Sequence, residues 1–229
     1  ERTAEELGRA FPGTPVVVSR AQRSLPEVGT APVVVLATPG IEPVAPGGYA
    51  AAVLLDGDVL LERPDLRAAE EALRRWSAAA ALVRPATAGG VVVVCADPQH
   101  PAVQALVRVD PAGHAERELG ERTELGLPPA VAAATVTGAP SAVNGLMGHL
   151  RVPAGTEILG PVPVAEPETR PATSGPGAPT PEPVVRVLLR TRRAEQADLA
   201  RALHQAAAIR SARREPGALR IRVDPRDIG

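Results

Sequence analysis

The sequence contains no lysine, so arginine supplies all 25 of its basic residues. A phosphate-binding loop of the G-x-x-x-x-G-K-S/T type and a Schiff-base lysine both require that side chain, which excludes both from this chain. A single cysteine, Cys95, excludes an intrachain disulfide and any zinc site built from several thiolates. We therefore expect no cofactor and no metal ion in this chain, and a cytoplasmic location.

Aromatic residues and long apolar runs are also scarce. Phe11, Tyr49 and Trp76 are the three aromatic residues, and no apolar run reaches the roughly 18 residues of a membrane span. The amino terminus is acidic and amphipathic, unlike a secretory signal, so neither export nor membrane insertion is expected. The chain begins within a helical pattern and without methionine, from which we expect further sequence upstream.

The first part of the chain has an α/β pattern. Short apolar runs bounded by glycine or proline are typical of parallel strands buried on both faces. They are Val16 to Val18, Val33 to Ala37, Ala50 to Leu55 and Val91 to Ala96. A helical pattern over 63–84, with Pro64 near its start, predicts a crossover helix before the last strand. Residues 1–98 are accordingly predicted to form one α/β domain with a parallel sheet.

The remainder predicts a helical connector over 99–129 and an α+β domain over 130–229. The patterns of this second domain indicate two β-α-β halves. The halves comprise Val131 to Thr137, Ser141 to Leu150 and Thr156 to Leu159, then Val184 to Thr191, Ala194 to Arg210 and Leu219 to Val223. Between them, residues 161–183 contain eight prolines, which predicts a disordered surface loop. Two such halves are typical of the ferredoxin-like fold.

Charge is distributed unevenly along the chain. Residues 183–229 contain 11 arginines and 5 acidic residues, a net charge of +6, whereas residues 1–182 contain 14 arginines and 21 acidic residues, a net charge of −7. Arginines grouped around one strand-helix unit are typical of a phosphate-binding face. The candidate nucleic-acid-binding residues are Arg190, Arg192, Arg193, Arg201, Arg210, Arg213 and Arg214. An ordinary solvated surface is the alternative, because no aromatic residue stands between the arginines for base stacking.

Motifs for catalysis are largely absent. The sequence has no HExxH, CxxC, GxSxG or GxGxxG pattern, and its four histidines are too far apart to form a metal site on one helix. Asp56 and Asp58 follow a predicted strand, where α/β proteins place functional groups, so a metal-binding or acid-base role and a simple turn both remain open. Cys95 follows four valines in a strand predicted to be buried, and we expect it to be inert.

Six segments along the chain carry a family resemblance. They are Ala4 to Val16, Val35 to Gly40, Leu55 to Glu70, Glu121 to Pro129, Ile158 to Pro163 and Val223 to Pro225. In this order they resemble the primosomal protein N′ (PriA) family of replication restart proteins, in its actinobacterial form. The resemblance implies that the chain contains most of the second RecA-like lobe of a helicase, followed by the family's carboxyl-terminal domain. In that family, two RecA-like lobes bind ATP and a separate module binds zinc.

Departures from the family pattern lie at its catalytic positions. An ungapped register from Pro64 places Leu82 and Pro85 where the family has two arginines, and Arg84 is displaced from both. An arginine finger contributes roughly 10³ to 10⁵ in rate by stabilising charge on the transferred phosphoryl group, so its loss implies the loss of ATP hydrolysis. The degenerate helicase-motif positions are Thr38, Asp56, Asp58, Leu82, Arg84 and Pro85. We therefore expect no catalytic residue in this chain.

From the resemblance we expect a replication restart protein that binds branched DNA at stalled forks, promotes primosome assembly and reloads the replicative helicase, without helicase activity of its own. The implied partners are forked or single-stranded DNA, the single-stranded-DNA-binding protein and primosome proteins, at the nucleoid. A protein-assembly factor with little DNA affinity is one alternative, because residues 1–182 are acidic. An ATP-dependent 3′-5′ DNA helicase, completed by upstream sequence, is another.

Overall fold

The computed structural model describes residues 2–164 and 183–226. The chain divides into two compact units, Glu1–Ala115 and Glu116–Gly229, here called unit 1 and unit 2. The boundary lies within the segment 99–129, which the sequence predicts to be helical. None of the described helices is long and apolar enough to cross a lipid bilayer.

Unit 1 alternates short strands and helices. It contains α1 (Arg2–Ala10), β1 (Val16–Ser19), β2 (Val34–Ala37), β3 (Ala51–Leu54), α2 (Gly57–Leu61), α3 (Ala68–Ala80), β4 (Val91–Val94) and α4 (Pro101–Arg108), while α5 (Pro111–Glu124) crosses the unit boundary. Strand β1 pairs with β2 and β3 pairs with β4, both in parallel. The parallel pairing is as predicted, but within the described residues the strands form two separate two-stranded sheets and not one sheet.

The prediction that the strands are buried on both faces is wrong for β3 and β4. In β3 and β4, exposed and partly buried residues alternate, and the side chains of Val53 and Val93 are 57% and 47% exposed. The opposite face, which includes Leu54, packs against α3 and α4 around the buried Trp76. Cys95 follows β4 and is exposed, not buried. Packing on one side of a two-stranded sheet accounts for both corrections.

The predicted crossover helix is shorter than expected. It corresponds to α3, Ala68–Ala80, and not to the whole of 63–84. A turn precedes it, in which the Asp65 carboxylate accepts a hydrogen bond from the backbone N–H of Arg67 at 2.9 Å. The five-residue helix α2 was not predicted, since it is too short to show a helical period in the sequence.

Unit 2 has the element order β-α-β-β-α-β, as predicted. Its elements are β5 (Val131–Gly138), α6 (Pro140–His149), β6 (Glu157–Pro163), β7 (Val185–Arg192), α7 (Gln196–Ala212) and β8 (Leu219–Val223). The four strands form an antiparallel sheet in the order β6-β7-β5-β8. Central strands β5 and β7 pair over their whole length, with Ala134 opposite Leu189.

Both helices of unit 2 pack on the same face of this sheet. Leu146 of α6, Leu199 and Leu203 of α7 and Leu189 of β7 are at most 1% exposed. Burying one leucine side chain contributes about 1.5 to 3 kcal/mol. The core of unit 2 therefore holds α6, α7 and the sheet together, and it leaves the opposite face of the sheet without a helix from this core.

The predicted disordered loop needs a change of boundary. Strand β6 continues through Pro163, and its last residues pair with β7, Val162 opposite Arg186 and Pro163 opposite Val185. The backbone N–H of Val164 also donates to the carbonyl of Val184 at 2.9 Å. Pro163 lies in the edge strand β6, which has a neighbouring strand on one side only. A proline is tolerated there because its missing N–H group can face away from that neighbour. Residues 165–182, the rest of the predicted loop, lie outside the described residues.

Candidate nucleic-acid interface

The candidate arginines of unit 2 lie at both ends of α7 and not in one cluster. Arg192 ends β7 and Arg193 begins a short 3₁₀ turn that leads into α7, while Arg213 and Arg214 directly follow α7. A helix of 17 residues is about 25 Å long at 1.5 Å per residue. The structure thus separates the candidates that the sequence grouped around one strand-helix unit.

Arg190 is held by contacts within unit 2. Its Nε atom donates to the Oε2 atom of Glu157 on the neighbouring strand at 2.6 Å. Its Nη1 atom lies 3.4 Å from the carbonyl oxygen of Leu125 and 3.1 Å from that of Gly126. The side chain is 29% exposed. It therefore fastens the loop after α5 to the edge of the sheet.

The candidates at the start of α7 are exposed and make local contacts. The Arg192 guanidinium pairs with Glu195, and that of Arg201 pairs with Asp198. Glu195 also accepts from the hydroxyl of Thr191, which is the main cause of its lowered pKa, followed by the hydrogen bond from Arg192. Exposed ion pairs of this kind typically contribute 0 to about 1 kcal/mol, so a phosphate group can compete for these arginines.

Arg210 is buried and serves the fold. Its side chain is 7% exposed, and its Nη1 atom donates to the carbonyl oxygen of Ala142 in α6 at 2.5 Å. Its Nη2 atom lies 3.3, 2.5 and 3.0 Å from the carbonyl oxygens of Glu215, Pro216 and Gly217. With its donors directed at backbone carbonyls, Arg210 is not available to a ligand in this arrangement.

Glu215 and His149 form a second contact at the same place. The Nε2 atom of His149 lies 2.7 Å from the Oε1 atom of Glu215. This hydrogen bond is the main cause of the lowered pKa of Glu215, and the charges of His149, Arg210 and Arg213 lower it further. Together with Arg210, the pair ties the loop before β8 to α6.

Two arginines that were not among the candidates stand on β8. Core residues Leu219 and Ile221 alternate along this strand with Arg220 and Arg222, which are exposed. The alternation of apolar and basic residues over 219–223 is visible in the sequence and indicates a strand with one basic face. In the sequence this pattern predicts the strand, and the structure adds that both arginines are exposed.

A shallow groove of about 280 Å³ lies beside the start of α7. It is lined by Arg151, Val152, Pro153, Asp198, Arg201, Ala202 and Gln205. Arg151 is exposed and donates from Nη1 to the carbonyl oxygen of Leu150 at 3.2 Å. The groove is therefore polar and partly basic, with the candidate Arg201 at its side.

The degenerate helicase-motif positions all lie in unit 1. Thr38 is exposed after β2, and its backbone N–H donates to the carbonyl of Ser19 at 3.0 Å. Asp56 has a positive φ of 54° where the chain turns from β3 into α2. The Oδ1 atom of Asp58 accepts from the backbone N–H of Asp97 at 2.9 Å and so joins the segments after β3 and β4. These contacts favour a structural role for Asp56 and Asp58 in a turn over a role in binding a metal ion.

The segment at the arginine-finger positions follows α3 and lies beside Tyr49, which forms an isolated bridge with Val83. The Tyr49 N–H donates to the carbonyl of Leu82 at 2.9 Å, and the Arg84 N–H donates to the carbonyl of Tyr49 at 3.0 Å. Leu82 is partly buried, whereas Arg84 and Pro85 are exposed. In the part of the chain that the structure describes, no group of three or more His, Cys, Asp or Glu residues is placed to hold a metal ion.

Comparison with known proteins identifies relatives over the whole chain. Residues 123–226 match the family model described as primosomal protein N C-terminal domain. The chain is 51% identical over 228 residues to the Probable replication restart protein PriA of Mycobacterium leprae (strain TN), and 50% identical over 235 residues to that of Mycobacterium tuberculosis (strain CDC 1551 / Oshkosh). These alignments cover 100% of this chain and 34% and 35% of the relatives. The chain thus spans about a third of the length of the curated relatives it matches, in their carboxyl-terminal part.

Proposed function

The chain belongs to the family of the replication restart protein PriA, and on this premise we propose that it binds branched DNA at stalled replication forks. In this role it promotes assembly of the primosome and reloading of the replicative helicase, at the nucleoid. Its partners are forked or single-stranded DNA, primosome proteins and the single-stranded-DNA-binding protein. The chain acts by binding and does not itself unwind DNA.

The observation that carries this proposal is the exposure of arginines in the carboxyl-terminal segment. Of the 11 arginines in residues 183–226, eight are exposed, two are partly buried and only Arg210 is buried. Arginine binds phosphate through several N–H donors, and a local excess of positive charge attracts a nucleic-acid backbone. Most of the arginines that give residues 183–229 their net charge of +6 are therefore exposed at the surface.

The fold supports the assignment of each unit. For unit 2 we propose a ferredoxin-like domain, supported by the β-α-β-β-α-β order and the antiparallel strand order β6-β7-β5-β8. For unit 1 we propose a reduced second RecA-like lobe, supported by the parallel strand pairs and the helices α2 and α3 between β3 and β4. The carboxyl-terminal domain then supplies the DNA contacts and unit 1 is retained as a scaffold.

Loss of the motor is supported by the residues at the catalytic positions. Leu82 and Pro85 have no guanidinium group to stabilise charge on a transferred phosphoryl group. We expect no DNA-stimulated ATP hydrolysis from the complete gene product, measured as phosphate release on a forked substrate. Hydrolysis that rises with added fork DNA would overturn this part of the proposal and favour the ATP-dependent helicase alternative.

Fluorescence anisotropy of a labelled three-way fork, titrated with the chain at several salt concentrations, tests the DNA contact. Phosphate contacts release counterions, so log affinity should fall with log salt by about 0.9 for each phosphate neutralised. Changing the four exposed arginines Arg192, Arg193, Arg213 and Arg214 together to alanine should weaken binding and flatten this dependence. Arg210 is left unchanged because its replacement would disturb the fold.

A matched control removes the same charge from unit 1. Arg20, Arg23, Arg63 and Arg108 are exposed and lie outside the proposed interface. Their combined change to alanine should leave the salt dependence close to that of the unchanged chain. Failure of the unchanged chain to bind the fork at low salt would overturn the proposed function.

The groove beside α7 favours a second candidate function, an assembly factor that binds protein partners. Arg151 and Arg201 line it, and although Asp198 in the same groove pairs with Arg201, an exposed pair of this kind is weak enough for an acidic peptide segment of a partner to compete for the arginine. We propose the single-stranded-DNA-binding protein as that partner, from the family resemblance. Titration of the labelled partner protein should show binding that is weakened by R151A/R201A and left unchanged by R63A/R108A, and the absence of binding would overturn it.

A further inference from the structure

The sheet of unit 2 has one face toward α6 and α7 and one face away from them. On β7, Val187 and Leu189 belong to the helix-side core, and on β8 so do Leu219 and Ile221. Since successive side chains of a strand point to opposite faces, the residues between them lie on the other face. We name this second face, which carries no helix of that core, the open face; Ala133 and Thr135 at its centre are buried, and its exposed residues lie mainly on β6 and β8. Its members on β5 to β8 are Val131, Ala133, Thr135, Thr137, Glu157, Leu159, Val162, Arg186, Leu188, Arg190, Arg192, Arg220 and Arg222.

The open face is strongly basic. Five of its members are arginines and one is acidic, Glu157. That single carboxylate is bonded to Arg190, which lies directly opposite it in the register. The charge of this acid is therefore already balanced by Arg190, and the uncompensated positive charge of the face lies at Arg220 and Arg222 on β8.

The basic edge of the open face is free to bind. Arg220 and Arg222 are exposed, and across residues 2–164 and 183–226 their guanidinium groups make no hydrogen bond or ion pair. The two residues stand about 7 Å apart along β8, at about 3.4 Å per residue. Thr137 lies between Arg220 and Arg186 in the register, which places these two arginines on strands about 10 Å apart. The hydroxyl of Thr137 adds a neutral hydrogen-bonding group among the charges.

The lack of aromatic residues indicates which form of DNA this face suits. All three aromatic residues of the chain, Phe11, Tyr49 and Trp76, lie in unit 1. Binding of single strands relies on stacking of bases against aromatic side chains, and the open face offers none. A duplex can be held through its phosphates alone, by arginines and hydroxyl groups that do not read the bases.

We propose that the open face binds the phosphate backbone of a duplex arm of branched DNA, with Arg220 and Arg222 as its main contacts. The inference rests on the proposed function and assigns the main contact to two arginines that were not among the candidates from the sequence. Binding is independent of sequence, because only phosphates are contacted.

Anisotropy titrations of a labelled duplex, and of a single strand of the same length, with the complete 229-residue chain test this surface. The variant R220A/R222A should bind the duplex at least about tenfold more weakly at low salt, with a log-log salt slope shallower by about 1.8 for two lost phosphate contacts. R220K/R222K, which keeps the charge, should recover most of the slope. The control R63A/R108A removes the same charge from unit 1 and should match the unchanged chain.

The outcomes separate this inference from the proposed function. Binding of fork and duplex by R220A/R222A as tight as that of the unchanged chain would overturn the open face as the contact while leaving DNA binding intact. Tighter binding of the single strand than of the duplex would overturn the choice of duplex. If the unchanged chain binds no DNA, both this inference and the proposed function fail. Circular dichroism and urea unfolding verify that R220A/R222A is folded, as expected for two exposed side chains.

Discussion

The guanidinium group of Arg210 donates a hydrogen bond of 2.5 Å to the carbonyl oxygen of Ala142, and so connects the last turn of α7 to the first turn of α6. The same side chain also reaches the carbonyls of the loop that leads into β8. An arginine in the most basic segment of the chain thus stabilises the fold. Its role differs from that of its exposed neighbours Arg213 and Arg214.

Replacement of Arg210 by alanine should lower the free energy of unfolding by about 2 to 3 kcal/mol, because it leaves the buried carbonyl of Ala142 and the part-buried carbonyls of the loop before β8 without their donor. R210K should recover little of this loss, since one ammonium group cannot reproduce the planar set of donors. Urea unfolding followed by circular dichroism measures both variants. R213A removes an exposed side chain and should stay within about 0.5 kcal/mol of the unchanged chain. Equal stability of R210A and R213A would contradict the prediction.

The sequence predicts the elements of unit 2 well because their patterns are local. Strand β5 was expected at 131–137 and spans Val131–Gly138, and β8 was expected and found at Leu219–Val223. The sequence does not distinguish Arg210 from Arg213, since both stand near the end of one helical pattern and only packing against Ala142 separates them. Contacts between segments distant in the sequence decide which arginine is buried, and these contacts cannot be derived from periodicity.

The same limit explains the errors in unit 1. Valine-rich runs such as Val91–Val94 indicate strands, but the number of strands in a sheet depends on contacts between distant segments. Burial on both faces is expected of strands within a larger parallel sheet, whereas the two-stranded sheet of β3 and β4 buries only one of its faces. For the candidate site, the alternation of Arg220 and Arg222 with core residues was visible, whereas the strand order that brings Arg186 near them was not.

Glu215 makes the stability of unit 2 sensitive to acid. The hydrogen bond from His149, and then the nearby charges of His149, Arg210 and Arg213, hold its pKa below the ordinary value of 4.5. Ionised Glu215 therefore stabilises the folded state above the unfolded pKa, and this contribution is lost as the pH falls through the lower folded pKa. We expect E215Q to flatten the dependence of the urea midpoint on pH over this acid range.

Urea midpoints measured between neutral and acid pH provide the comparison for Glu215. The control E124Q removes a carboxylate that is exposed at the end of α5. In E124Q the urea midpoint should fall with decreasing pH as steeply as it does in the unchanged chain. The same acid dependence in E215Q and in the unchanged chain would show that the contact with His149 does not contribute to stability.

Gly57 has no room for a side chain. A Cβ atom there would lie 2.6 Å from the Cβ of Ala96, 2.9 Å from the carbonyl oxygen of Cys95 and 3.2 Å from Cζ2 of Trp76. Since two of these contacts involve backbone or a Cβ atom, the neighbours cannot move away cheaply, and G57A should destabilise unit 1 by about 1 to 3 kcal/mol. Fluorescence of Trp76, the only tryptophan, reports this unfolding directly. G29A, with nothing within 4 Å of the added atom, should leave the transition unchanged.

Asp58 distinguishes a structural turn from a metal site. Its Oδ1 atom accepts the backbone N–H of Asp97, so D58A should cost about 1 kcal/mol by leaving that donor without its partner, and D58N should be tolerated because the amide oxygen still accepts. Thermal unfolding followed by Trp76 fluorescence measures both changes. If Asp58 binds a metal ion, D58N should not be tolerated. Added Mg²⁺ should then raise the unfolding temperature of the unchanged chain, and D58N should abolish that rise. If Asp58 only stabilises a turn, Mg²⁺ should change the unfolding temperature of neither the unchanged chain nor D58N, because the carboxylate acts only as a hydrogen-bond acceptor.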